Sequence, residues 1–474
     1  MSRIFPQSHS LESQPGPGLQ LWLRRLIVLG VLAVSLALPF LRSQNLAFLL
    51  AAAIAGMVAV YVFMRWPSLG VVLVVFVTML VPLPDQIVSR LGGSLNTTIL
   101  YMMFLLGLWF FDMFVRQREF KLAPARANAP LLVLLLVVFI SFINGRINYY
   151  GFTQLASISA QIGGIAIFIL SIGAFWLAAN RLSGIDWLQR LTWLFVFLGG
   201  IYIAIRLTPQ TDTLFRGIFQ YGSDASIFWI WIVAMTASQA LVNKKLSPRL
   251  RWGLFGLLAA IFYVSLSQAY DWKSGWLPAG IGLVMIFWVV AGRFRVPVML
   301  VGVLIVLFGF STLGNLVSGQ ENVSLPSRQE AWKVVLEISK ANPVIGLGPA
   351  NYYWYTTILT FMGNRVNLSS HNNYIDLYAQ LGLVGLFSFL WFAWEVWWLG
   401  WRLQLTEPDG FSRAYAVGAL GGLVGTLVSG MLGDWFLPYV YNVGLIGFRS
   451  SVFAWLFLGG LVLIDRVSST REKV

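Results

Sequence analysis

Cysteine is absent from this chain, histidine occurs only twice, and lysine, arginine, aspartate and glutamate together make up 11% of its 474 residues. Without cysteine there is no disulfide framework, no thiolate metal site and no thiol nucleophile. Two histidines, His9 and His371, leave no basis for a multi-histidine metal site. The shortage of charge excludes a soluble enzyme, because a soluble domain is about 25% charged and about 45–50% apolar. This chain is instead 58% hydrophobic, with a mean hydropathy of +0.77. At about 20 residues per transmembrane helix, that content supplies about twelve to fourteen spans. The expected fold class is all-α, a polytopic transmembrane helical bundle.

Apolar segments begin near residue 26 and end near residue 464. They divide the chain into a tail at 1–25, helices over 26–314, a long interruption at 315–373, further helices over 374–464 and a tail at 465–474. The first tail is rich in Ser, Pro, Gln and Gly, lacks the early apolar run of a cleaved signal, and reads as a disordered cytoplasmic segment. With the N-terminus in the cytoplasm, alternation of spans puts about two-thirds of the 32 lysines and arginines on the cytoplasmic side, in line with the retention of cations there. Both termini are therefore expected in the cytoplasm. Topology accounts for the net charge of +14, so membrane lipids are the expected partners and no nucleic acid is required.

In this topology the 315–373 loop is extracytoplasmic, and loops longer than about 15 residues are usually functional or disordered. Ser327-Arg328-Gln329-Glu330 has the spacing of a capping box, which predicts a short helix with Arg328 in its first turn. Ala331, Val334, Val335 and Ile338 fall on one face of that helix, Lys333, Glu337 and Lys340 fall elsewhere, and Asn342-Pro343 stops it. Gly346-Leu347-Gly348-Pro349-Ala350-Asn351 can make a tight turn. Then comes His371-Asn372-Asn373, with the only histidine of the membrane domain at the point where an outer loop meets an apolar helix. Imidazole exchanges a proton near neutral pH and can act as a general base toward a sugar hydroxyl. A hydrogen-bonded interfacial histidine is the alternative.

Other polar residues are weaker candidates. Asp376 follows His371 by about 1.4 turns; it and Asp434 are separate in the sequence, form no D-x-D pair and read as structural hydrogen-bonders. Arg206, Arg365 and Arg449 can reach the membrane interface as span-end arginines do, and Arg449 is kept with Asn372 and Asp376 as possible support for the site. Tyr352-Tyr353-Trp354-Tyr355 can stack on sugar rings or join an interfacial aromatic belt.

His371-Asn372, nine residues, then Gly382-Leu383-Val384-Gly385 resembles the H-[NSQ]-x9-G-x-x-G pattern of the O-antigen ligase and O-antigen polymerase family of bacterial membrane glycosyltransferases. Asn342-Pro343-Val344-Ile345-Gly346-Leu347-Gly348 is similar to the family's N-P-x-x-G-x-G turn, and Arg328 with Trp332 to its R-x-x-x-W helix. Phe215-Arg216-Gly217-Ile218-Phe219 resembles its R-x-G-x-F segment, although Gly222-Ser223-Asp224 replaces the N-P-N that usually follows. Ser267 to Trp276 resembles its S-R-G-x-W junction, with Lys273 where the family has arginine. The match runs over roughly residues 200 to 460.

The resemblance implies a GT-C-like enzyme of the bacterial inner membrane. It would pass a glycan from a polyprenyl-diphosphate carrier to the hydroxyl of a lipid or glycan acceptor on the extracytoplasmic face, with inversion and with neither cofactor nor obligatory metal. Cations stabilise the diphosphate as it leaves, a role that falls to Arg216, Lys273 and Arg328, while His371 orients or deprotonates the acceptor. Catalysis is thus expected from His371 and Arg328. Ligase, polymerase and protein-glycosylating activities share this chemistry and differ in acceptor; the histidine pattern leans toward a ligase acting on a lipid A core. From other classes, a secondary transporter of a small anion would place ionisable groups or broken helices near the bilayer midplane, and a flippase would need a cationic cavity open to both faces. The charges here gather at span ends instead.

Overall fold

The protein is described by a computed structural model over residues 44–82, 95–219, 225–268, 273–300, 302, 304 and 325–471. The expected span at 26–41 lies outside these residues, as does most of that at 297–314. Runs of Leu, Val, Ile and Phe form helices α1 (Gln44–Arg65), α2 (Pro67–Leu80), α3 (Thr97–Phe111), α4 (Asn128–Asn144), α5 (Ile158–Arg181), α6 (Ile185–Ile205), α7 (Ser226–Val242), α8 (Pro248–Gln268) and α9 (Lys273–Val290). The amphipathic helix α10 (Leu325–Ser339) precedes α11 (Asn373–Thr406), α12 (Phe411–Leu432) and α13 (Phe448–Arg471). Among the described residues there is no strand, only a bridge between Phe361 and Asn364. Among the described residues, seven helices are long and apolar enough to cross a membrane, and five further apolar helices are shorter. The chain is a polytopic helical membrane protein.

Burial sorts the helices into centre and rim. Every residue of α7 from Ser226 to Ala240 and of α13 from Phe448 to Ile464 is buried, the pattern of a helix that is apolar all round. By contrast α8 leaves Trp252 73% and Tyr263 57% exposed, as a lipid-facing helix does. Helices α9 and α12 meet where Gly282 and Gly421 let the backbones touch. A Cβ on either would lie within 2.7 Å of the other's carbonyl oxygen, a small-residue contact of the kind that membrane helices use.

Polar links divide between the two ends of the bundle. At one end Arg181 pairs with Asp112 at 2.8 Å, Lys244 with Asp409 at 2.7 Å and Arg402 with Asp465 at 2.7 Å. At the other, Asn96 Nδ2 donates to Leu445 O, Asn351 Nδ2 to Gly145 O and Arg328 Nη1 to Leu432 O. Successive helix ends fall into these sets in the alternation that span-by-span reversal requires. The second end carries the loop that contains His371.

Candidate active site

Helix α10 buries Ala331, Val334, Val335 and Ile338, the face expected from their spacing. They pack with Leu347, Tyr352, Tyr355, Leu368 and Ala379 into a small core of the loop's own, so α10 caps the bundle. The helix begins at Leu325, and Ser327 consequently lies within the first turn and not at the N-cap that the capping-box reading assigned to it. Arg328 and Trp332, four residues apart, share a face.

The family-like turn and the G-x-x-G segment form one unit. Helix α11 is broken at Gly382, which has φ +66°; this glycine is a break, not the helix-packing contact that G-x-x-G suggests in a membrane span. A continuous helix would bond the amides of Leu383 and Val384 to the carbonyls of Ala379 and Gln380. Instead Leu347 N–H donates to Ala379 O at 2.9 Å and Gly348 N–H to Gln380 O at 3.1 Å. The freed amides of Leu383 and Val384 donate to the carbonyls of Pro343 and Val344 at 2.8 and 3.2 Å. Thus the turn at 343–348 satisfies the backbone groups that the break exposes. Gly346, with φ +82°, sits so close that a Cβ would lie 2.4 Å from the Gln380 carbonyl.

Asn351 anchors this unit to the membrane helices. Its Nδ2 donates to Gly145 O and Leu347 O, and its Oδ1 accepts from Ala156 N–H and Gln161 Nε2. Ser141 Oγ of α4 adds a 2.6 Å bond to Gln380 O. Sequence patterns do not single out Asn351, because three of its four partners come from distant segments.

His371 lies one residue before the N-cap of α11, in the left-handed region at φ +50°. Among the described residues, no hydrogen bond is made by its half-buried imidazole. Burial, and then the charge of Arg328, hold the imidazole below its ordinary pKa, which leaves it neutral and able to accept a proton at neutral pH. Arg328 is fixed by a 2.8 Å bond from Nη1 to Leu432 O, at the C-terminal end of α12, where a cation suits the helix dipole. Trp332 Nε1 donates to Ser370 O at 2.8 Å, binding α10 to the segment that carries the histidine.

The two asparagines after His371 hold the backbone. Asn372 Oδ1 accepts from the amides of Tyr374 and Ile375, the work of a helix N-cap. Asn373 Oδ1 accepts from the amides of Phe436 and Leu437, while its Nδ2 donates to Leu437 O. Asp376 and Asp434, separate in the sequence, are brought together here as a fully buried pair. Burial, reinforced by Asp376, pushes the Asp434 carboxyl above its ordinary value.

Arg216 and Lys273 begin a turn of helix and α9 respectively, but their side chains lie outside the described residues. Near the latter, the Gly275 carbonyl accepts from Ser226 Oγ at 3.4 Å, placing the starts of α7 and α9 side by side. Arg449 is buried in the first turn of α13. Arg206 Nη1 donates to Tyr202 Oη. Tyr352 and Tyr355 are buried in the loop core, whereas Tyr353 stacks on Tyr441 at 4.5 Å between centroids.

No curated protein matches the chain. Residues 272–390, a stretch that runs through the break in α11, match the family model described as O-antigen ligase, which supports membership of that family.

Proposed function

We propose that this protein transfers a glycan from a polyprenyl-diphosphate carrier to an acceptor hydroxyl, with the His371 end of the bundle facing the extracytoplasmic side and both termini in the cytoplasm. The observation that carries this reading is the pairing of a neutral imidazole, unpartnered among the described residues, with the fixed cation of Arg328. The acceptor hydroxyl donates its proton to His371 as its oxygen attacks the anomeric carbon. The bond from that carbon to the diphosphate oxygen breaks on the opposite face, and configuration inverts. Negative charge then accumulates on the diphosphate, where Arg328, Arg216 and Lys273 stabilise it. A diphosphate so stabilised departs without a general acid, and cations perform the role that a metal would otherwise take.

Ligase activity toward a lipid A core sugar is the preferred form, on the strength of the His371-Asn372 and Gly382-Leu383-Val384-Gly385 spacing. Purified protein supplied with a polyprenyl-diphosphate oligosaccharide and either a lipid A core or a second lipid-linked repeat separates the acceptors by product mass. A glycosylated lipid A core is the expected product. A lengthened lipid-linked glycan would instead make the enzyme a polymerase.

A further inference from the structure

A pair of buried carboxyls behind the His371 segment takes no part in the chemistry above. Asp376 stands in the first turn of α11 and Asp434 just beyond α12. Both are 0% exposed, each feels the charge of the other, and the buried Asp376 Oδ2 meets no donor among the described residues. Asp376 Oδ1 accepts from Tyr352 Oη at 2.5 Å and from Ser370 Oγ at 2.7 Å. Asp434 accepts from Asn373 Nδ2 at 3.4 Å on Oδ1 and from Asn442 Nδ2 on Oδ2. Two ionised carboxylates repel strongly in such a dry site, and a proton on one would relieve both that repulsion and the unpartnered Asp376 oxygen. The charged and titratable groups around the pair are Arg328 from α10, Tyr352 from the loop and Tyr439 from the segment after α12, with His371 beside Arg328.

The same pair reaches the histidine through a single hydroxyl. Ser370 Oγ donates to Asp376 and accepts from the Asn372 amide at 3.0 Å, so the residues on both sides of His371 are tied to Asp376. Between them His371 is held at φ +50°, a conformation that non-glycine residues adopt only under local constraint.

We propose that Asp376 is a positioning residue for His371, and that Asp376 and Asp434 hold one proton between them so that the pair presents a single negative charge to Arg328. The positioning role rests on the reading of His371 as the base. Asp376→Asn keeps an acceptor for Tyr352 and Ser370 and offers Asp434 an N–H in place of the shared O–H, with the charge unchanged. Asp434→Asn is not equivalent, since both Asp434 oxygens already accept amide N–H groups and the new NH2 would face one of them. Asp376→Ala removes the anchor altogether.

The test uses full-length protein in detergent and two readouts that do not depend on turnover. Infrared difference spectra at pH 7 should show the carbonyl stretch of a protonated carboxylic acid in wild type, lost in Asp376→Asn. With only two histidines in the chain, spectra of 15N-histidine-labelled protein should show the His371 signal of Asp376→Asn at its wild-type position and that of Asp376→Ala displaced. In the polyprenyl-diphosphate release assay, Asp376→Asn should stay within about threefold of wild type with an unmoved acidic limb, and Asp376→Ala should fall at least about tenfold, the scale of a misplaced catalytic group. Absence of the acid band in wild type overturns the shared proton. An Asp376→Asn protein whose histidine signal or activity moves as far as that of Asp376→Ala overturns the positioning role. Failure of wild type to release polyprenyl diphosphate would count against glycosyl transfer, and the two spectroscopic readouts would still decide the pair.

Discussion

The amide of Leu347 donates to the carbonyl of Ala379 at 2.9 Å, taking the acceptor that a continuous α11 would have given to Leu383. Two sequence motifs more than thirty residues apart thereby become one structural element, with His371 at the head of the broken helix. The break requires Gly382, whose φ is +66° and whose Cβ would lie 2.2 Å from the Val344 carbonyl oxygen. Gly382→Ala is expected to destabilise the protein by roughly 2–4 kcal/mol through backbone strain and overpacking, read as a lowered thermal midpoint in detergent. Gly217→Ala, which meets nothing within 4 Å, is the control that should leave the midpoint in place.

Trp332→Phe keeps the aromatic bulk on α10 and removes the N–H that reaches Ser370 O. The lost hydrogen bond should cost about 1 kcal/mol of stability. Because that carbonyl immediately precedes His371, turnover is expected to fall by about tenfold, more than the stability change alone would produce. Parallel measurement of kcat and thermal midpoint checks the difference.

Much of this arrangement is legible in the sequence. The apolar runs give the bundle, the spacing of Ala331, Val334, Val335 and Ile338 gives the buried face of α10, and the glycines of 346–348 give the turn, because each depends on local periodicity or backbone freedom. What local pattern does not carry is partnership across the chain. Nothing near Gly382 announces that its helix breaks around a turn at 343–348, and nothing near Asp434 announces Asp376. Asn351 is equally silent, since three of its four partners, Gly145, Ala156 and Gln161, lie at least 190 residues away.

Arg328 carries a prediction about pH. Its charge helps to hold the His371 imidazolium pKa below the ordinary value of 6.5. Removing that charge in Arg328→Ala should raise the pKa, so His371 would become protonated at a higher pH on acidification. The acidic limb of kcat/KM is therefore expected to move upward, together with a loss of rate from the missing cation. Arg328→Lys should restore the limb but not the full rate, because an ammonium lacks the planar fork of guanidinium. A pH profile of all three proteins checks the sign.

Lys273 stands where the family pattern has arginine. Lys273→Arg should retain wild-type activity within about threefold, whereas Lys273→Ala should raise KM for the lipid-diphosphate donor by about tenfold, as loss of a cation hydrogen-bonded to phosphate costs roughly 1.5–3 kcal/mol. Donor titration at saturating acceptor distinguishes the two.

The most direct test is release of polyprenyl diphosphate by purified protein given a polyprenyl-diphosphate oligosaccharide and acceptor lipid, with His371→Asn as the comparison. Asparagine tolerates the left-handed backbone at this position, so the variant should keep the wild-type thermal midpoint. Loss of a general base should reduce release by about 100-fold or more. Equal release from wild type and a folded His371→Asn protein would contradict the assignment of His371 as the base.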